Sequence, residues 1–262
     1  MRDESGGIEG KARTASADEL QALVIEAGES TLLAVLENPN LEEPHVCQML
    51  ERLDVPASVL AAVAAERKWT ASEGVRLRLA RHPKTPRRVS LNLLRQLFLF
   101  DLVRVSLLPS APAEIRRVAE EIIIARVPHL PVGEKLTLAR RGSARVAGAL
   151  LAEGHSQAIK LALGNAFLSE SQVLKVLAKP GVPERVVGAI ANYSKWSSQY
   201  NVRAALVRNA HTPIAMVRAF LPNLTLRDLK DMATLETVAP QVRTLIKREM
   251  ARRAGRETGR NE

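Results

Sequence analysis

The segment Val75-Arg76-Leu77-Arg78-Leu79-Ala80-Arg81-His82-Pro83-Lys84-Thr85-Pro86 returns 127 residues later as Val202-Arg203-Ala204-Ala205-Leu206-Val207-Arg208-Asn209-Ala210-His211-Thr212-Pro213. Working outward, residues 38–86 align without a gap on residues 165–213, and 18 of the 49 pairs are identical. Val55-Pro56 pairs with Val182-Pro183, and Lys68-Trp69 with Lys195-Trp196. Repetition at this scale points to a repeat architecture, in which each unit buries its apolar face against its neighbours.

A shorter period lies inside the long one. Turn-forming clusters recur at positions 38, 82, 127, 165 and 209, with spacings of 44, 45, 38 and 44. A residue before proline is pushed out of the α region, so a helix ends there. Proline has no N–H to waste, so it suits the first turn of the next helix. Thr85 and Thr212 directly precede proline and are expected to cap that helix. Arg81, Arg126 and Arg208 close the preceding helix, where a cation complements the dipole. A second helix opens at Pro56, Pro112, Pro183 and Pro240, and runs such as Val186, Val187, Ile190 mark one buried face. No period-two strand pattern is present. The expected fold is all-α: a right-handed α-solenoid of about five HEAT-like helix pairs over residues 17–253. The units fall near 33–79, 80–124, 125–162, 163–206 and 207–253. Residues 1–16 lack periodicity and read as disordered, with regular structure beginning near Ala17 under a Ser16 or Asp18 cap. Residues 254–262 read as a basic, frayed tail.

On these motifs the chain resembles the bacterial HEAT-like and leucine-rich-variant α-solenoids. Their units also carry Asn-Pro-x-Thr-Pro turns next to Val-Arg-x-x-Leu-Ala helices, matched best at 75–86 and 202–213. The resemblance spans roughly residues 33–253. The period of about 44 departs from the shorter leucine-rich-variant unit and falls in the HEAT range. The cysteine cluster that some of those proteins use for an iron–sulfur site has no counterpart. The resemblance implies a curved helical scaffold that binds a partner, usually a protein. A minority branch of HEAT-like folds binds DNA on a basic concave face and excises alkylated bases. No catalytic residue carries over from that branch, because its aromatic-lined site has no match here.

The bulk composition sets further bounds. The 262 residues are 46% hydrophobic and only 3% aromatic, which suits helices packed through Leu, Val, Ala and Ile. The single cysteine, Cys47, excludes an internal disulfide framework and fits a reducing compartment. Residues 1–10 lack an apolar signal segment, and residues 97–108 are too short and too charged to span a bilayer. A soluble, cytoplasmic protein without a membrane partner is expected. Charge is lopsided: residues 1–66 hold 13 acidic and 4 basic residues, and residues 67–262 hold 15 acidic and 34 basic ones. A basic body of this kind attracts polyanions. The acidic head would either lie on that body until displaced or keep the chain soluble.

Two clusters stand out as candidate binding residues. Lys68-Trp69 and Lys195-Trp196 join one unit to the next, and both tyrosines, Tyr193 and Tyr200, lie near the second pair. Such aromatic–basic pairs would stack a base or anchor a partner. Alternatively each Trp closes the apolar seam between units, as packing predicts for a duplicated Trp in a duplicated fold. Arg81, Arg126 and Arg208 read as one position in three units, a ridge able to meet phosphates at intervals. Arg87, Arg88, Arg140 and Arg141 would widen it, and Arg76 and Arg203 complete the set. The competing reading is compensation of helix dipoles. Histidines at the anchors (His82, His129, His211) belong to layers about a helix diameter apart, roughly 10 Å, so no metal site is expected. Asp101 and Asp228 look like helix caps. The adjacent pairs Glu42-Glu43 and Glu120-Glu121 point different ways on a helix and form no acid–base couple. Phosphate-loop, dinucleotide, zincin and nucleophile-elbow motifs are missing, so neither a catalytic residue nor a cofactor nor a small-molecule ligand is expected. The expected function is a non-enzymatic protein-interaction scaffold. The alternative is a nucleic-acid-binding protein using the arginine ridge, with base excision a minor variant.

Overall fold

The computed structural model describes the backbone of residues 3–258 and the side chains of residues 7–254. Every regular element among the described residues is helical; no strand forms. The chain divides into two compact units, Met1–Arg126 and Val127–Glu262. The first holds α1 (Asp3–Thr14), α2 (Ala17–Glu26), α3 (Glu29–Leu36), α4 (Glu43–Met49), α5 (Ala57–Ala65), α6 (Arg67–Thr70), α7 (Glu73–Arg81), α8 (Arg87–Leu94), α9 (Leu99–Leu107) and α10 (Ala113–Arg126). The second opens on a short 3-10 turn, Val127–His129. It continues with α11 (Val132–Arg141), α12 (Ala144–Glu153), α13 (Ser156–Leu163), α14 (Glu170–Ala178) and α15 (Glu184–Asn192). Then come α16 (Ser194–Ser197), α17 (Tyr200–Arg208), α18 (Ile214–Phe220), a 3-10 turn at Leu221–Asn223, α19 (Leu226–Thr234) and α20 (Pro240–Thr258).

The duplication is therefore much larger than the 49 aligned residues. Six helices of the first unit (α2, α3, α5, α6, α7 and α9) have counterparts in the second with both ends displaced by 127 residues. The other four pairs share at least one end at that offset. Packing repeats as well. In the first unit α3 packs on α5, α4 on α7 and α7 on α8; in the second, α13 packs on α15, α14 on α17 and α17 on α18. Leu32, Leu60, Leu79 and Leu102 are fully buried in the first core, and Leu150, Val187, Leu206 and Leu229 in the second. Burial of such side chains contributes about 1.5–3 kcal/mol each.

Four expectations need correcting. Residues 3–14 of the segment read as disordered form α1, and α1 packs on α3. Ala12 is fully buried, and the Asn38 side chain donates to the carbonyls of Ala12 (2.8 Å) and Ala15 (3.0 Å). Its glycines hide the helix from composition, but its counterpart α11 fills the same place in the second unit. Met1 and Arg2 lie outside the described residues. The acidic head is likewise no detachable arm: residues 17–65 form α2 to α5, and Leu20, Val24, Leu32 and Val35 sit in the core. Partitioned by unit, the first carries 17 basic and 18 acidic residues, a net of −1. The second carries 21 and 10, a net of +11.

The third correction concerns capping. α8 and α18 are preceded by Pro86 and Pro213 at the N-cap, with no side-chain cap, so each threonine stands one residue too early. The Thr212 hydroxyl instead donates to the Leu206 carbonyl at 2.6 Å and closes the end of α17. Side-chain caps do form at Ser16, Ser72, Ser143 and Thr225. At the other end of the chain, the helical backbone of α20 continues to Thr258, so residues 254–258 of the expected frayed tail are helical. Residues 259–262 lie outside the described residues.

Candidate functional site

The Lys-Trp segments form two one-turn helices, α6 and α16, built alike. Trp69 is 5% exposed and Trp196 3%, so neither ring face is open to stack a base. The Trp196 indole N–H donates to the Leu163 carbonyl at the end of α13, at 2.9 Å. Above each ring lies the preceding lysine, with Nζ 4.3 Å from the Trp69 centroid and 4.4 Å from that of Trp196. A cation over an indole face contributes about 0.5–1 kcal/mol at an exposed site. Lys68 also donates to the Leu41 carbonyl. Of the two readings open in the sequence, the rings take the packing one.

Arg76 and Arg203 complete that device. Arg76 donates to the carbonyls of Thr70 and Ala71, both at 2.8 Å, and Arg203 to those of Ser197 and Ser198, both at 3.2 Å. Each guanidinium thus satisfies the orphan carbonyls that a four-residue helix leaves at its C-terminus. Arg203 uses Nε and one Nη for this, whereas Arg76 makes both bonds from Nη1 and leaves its buried Nε without a partner.

The arginine ridge does not form as expected. Arg81 is held by both carboxylate oxygens of Glu51 (2.6 and 2.7 Å), which also takes Arg78. Arg208 is the true duplicate of Arg81, but Ala178 stands where Glu51 does, and Arg208 is exposed without a hydrogen bond among the described residues. Arg126 belongs to a different register: its counterpart is Arg253. Arg126 donates to the carbonyls of Leu97 and Arg95, and Arg253 to those of Leu224 and Leu221. The three residues are therefore not one position in three layers. Nor are Asp101 and Asp228 free. Asp101 is buried and paired with Arg104, and Asp228 accepts from Tyr200 and Thr225, which hold its pKa below the usual carboxylate range.

Sequence reading passed over the most consistent device, at the anchors. Asn38, His82, Asn165 and Asn209 all do one job. Each donates from one polar atom of its side chain to a carbonyl 23–32 residues earlier, and accepts at the other the N–H two residues later. Asn165 grips the carbonyls of Ala139 (2.9 Å) and Gly142 (3.0 Å) and receives the Phe167 N–H at 2.7 Å. Only a side chain with a donor at one end and an acceptor at the other can bridge in this way, which asparagine and neutral histidine both allow. Four of five anchors carry one of these two residue types; Val127 is the exception.

The assignment has a pH consequence. His82 places Nε2 2.7 Å from the Arg52 carbonyl and accepts the Lys84 N–H at Nδ1, so the neutral ring with the proton on Nε2 is the one that fits. Burial pushes its pKa below the ordinary imidazole value, and Lys84 and Arg81 push the same way. A depressed folded-state pKa contributes stability above the unfolded value, near 6.5, that is lost as pH falls through the folded one. His82→Asn should keep the bridge and flatten this acid limb. Melting temperatures of both proteins between pH 8 and pH 5 check it; parallel curves would refute the assignment.

Two open surfaces remain in the second unit. One is a groove of about 390 Å³ between α13 and α15, lined by Ile159, Leu163 and Ala189 with Lys160, Arg185 and Tyr193 around them. The other, of about 220 Å³, lies between α18 and α20 and is rich in arginine. The described residues contain no group of three or more His, Cys, Asp or Glu placed to hold a metal ion. No helix among them is long and apolar enough to cross a membrane. No protein-family model matches the chain, and comparison with curated proteins and with solved structures likewise yields no match.

Proposed function

We propose that the chain is a non-enzymatic, cytoplasmic interaction module that receives an acidic, amphipathic helix of a partner protein in the groove between α13 and α15. We read its two ten-helix units as HEAT-like pairs of a right-handed α-solenoid, a reading supported by the constant offset of 127 and the repeated bridges at the anchors. The observation that carries the functional reading is the groove itself. It offers apolar Ile159, Leu163 and Ala189 as a floor and Lys160 and Arg185 as cationic flanks. Such a surface suits the helix-in-groove mode of recognition, in which apolar anchors enter the floor and acidic residues meet the flanks. The equivalent positions in the first unit hold Leu33 for Lys160, Ser58 for Arg185 and Glu66 for Tyr193, so the cationic flanks belong to the second unit alone. Half-buried Cys47, its thiol pKa raised by burial, plays no part in this reading.

Selection of a displayed library of helical peptides against the full chain tests the proposal. Recovered sequences should be acidic and amphipathic, and an Ala189→Trp variant that fills the groove should weaken them at least about tenfold, or 1.4 kcal/mol. Peptides that bind the variant equally well would sink the reading. A second reading, nucleic-acid binding, has one specific support: the whole net positive charge of the chain, +11 against −1, lies in the second unit.

A further inference from the structure

A cluster of charge differences between the duplicated units lies on α18 and α20. Arg248 stands where α10 has Glu121, Glu249 where it has Ile122, Arg252 where it has Ala125, and Arg218 where α8 has Leu91. The same ten-helix unit thus forms with an apolar Leu, Ile and Ala at three of these places, and the fold itself does not call for cations. In the second unit the four side chains, with Leu221 and Leu245, line a cavity of about 220 Å³. Leu245, Arg248, Glu249 and Arg252 occupy one face of α20 at i, i+3, i+4 and i+7.

Glu249 organises the cluster. Its side chain is 9% exposed, and it accepts two bonds from Arg252 (2.7 and 2.8 Å) and one from Arg253 (2.8 Å). Arg252 first, and Arg253 beside it, hold its pKa well below the usual range, at about 2, so it is a charged anchor at neutral pH. A buried carboxylate in place of isoleucine is costly to desolvate, and here it fixes a guanidinium at the cavity wall. Arg218 and Arg248 face the same cavity, both exposed, without a carboxylate partner among the described residues. Three arginines against one glutamate leave the cavity lining with a charge of +2. At a share of about 30 Å³ per water, the cavity holds roughly seven waters, room for one phosphate group with some of its hydration. Guanidinium forks match phosphate oxygens in geometry and charge.

We propose that this cavity is a phosphate site that seats the backbone of a nucleic acid. The proposal is independent of the groove between α13 and α15 and rests on the second reading above. A polymer fits better than a small phosphorylated molecule because the positive charge of the second unit, a net of +11, extends well beyond the cavity's own three arginines.

Fluorescence anisotropy of a labelled duplex DNA and a single-stranded RNA, titrated with the full chain across a range of salt, tests it. Arg218→Gln/Arg248→Gln would run beside a charge-matched control on exposed Lys175 of α14 and exposed Lys179 at its C-terminal cap, Lys175→Gln/Lys179→Gln. The expected result is binding at about 0.15 M salt that falls at least tenfold in the arginine variant, with the salt slope shallower by about one to two units, and changes little in the control. Equal losses in both variants would overturn the site while leaving nucleic-acid binding in place. Absence of binding to either polymer would overturn the site and the reading it rests on. Displacement of the oligonucleotides by millimolar AMP or inorganic phosphate would replace the polymer with a small phosphate ligand and overturn the proposal as stated. Thermal melting of both variants confirms that their folds are intact.

Discussion

Trp196→Ala should lower the stability of the protein by about 3–5 kcal/mol, the range for removing a buried aromatic ring. The ring is almost fully enclosed, its N–H holds the last turn of α13, and Lys195 covers its face. Trp69→Ala should cost a comparable amount through packing. Trp196→Phe separates the contributions: it keeps most of the buried area and removes the bond to Leu163, for an expected loss of about 1–3 kcal/mol. The chain has two tryptophans, one in each unit, so a variant that keeps only one reports the unfolding of its own unit by fluorescence. Urea titration followed by far-ultraviolet circular dichroism, which sees both units, gives the energies, and the remaining tryptophan reports whether the unmutated unit is disturbed. A Trp196→Ala protein of unchanged stability would show that the ring is free, and would restore the exposed-aromatic reading of the Lys-Trp pairs.

The second large effect is expected at Asn165. Replacement by alanine leaves the carbonyls of Ala139 and Gly142 and the N–H of Phe167 without their partner in a site that is 1% exposed. An unpaired buried polar group costs about 1–3 kcal/mol, and with some relaxation the three together should cost about 2–4 kcal/mol. Asn165→Asp is a sharper probe, because it keeps the shape and the acceptor for Phe167 but turns the donor end into a carboxylate facing two carbonyls. It should be as harmful as alanine at pH 7 and milder at pH 5, where a protonated oxygen can donate again. Asn165→His should be tolerated best, since His82 performs the same bridge in the first unit. Equal stability of the Ala and His variants would mean that the bridge contributes little.

The duplication was legible over residues 38–86 because that stretch keeps the residues whose chemistry cannot be exchanged: the bridging Asn38, the Lys-Trp turn, and the arginine that closes it. Outside it, helices such as α1 and α11 correspond in place while their residues have drifted, as close packing permits when volume and pattern are kept. The glycines of α1 then made a packed helix look like a linker. The arginine ridge failed for a different reason. Arg126 precedes a turn, as Arg81 and Arg208 do, but sits at the end of α10, so its counterpart is Arg253 of α20. Position relative to a proline does not define position in a layer. The bridging role of the anchors required knowing which carbonyls lie opposite, which no local pattern contains, although the restriction to Asn and His at four of five anchors was an available sign. The arginine cavity arises from α18 and α20, which lie apart in sequence and meet only in the folded unit.

The anchor bridges and the indole bond join residues only 23–33 positions apart, on the order of a tenth of the chain, a separation typical of fast helical folders. No contact of this set waits for a distant part of the polypeptide. Folding can therefore start at any neighbouring pair of helices and spread in either direction, and on the ribosome it can proceed from the amino terminus while the carboxyl-terminal arginines are still to be made.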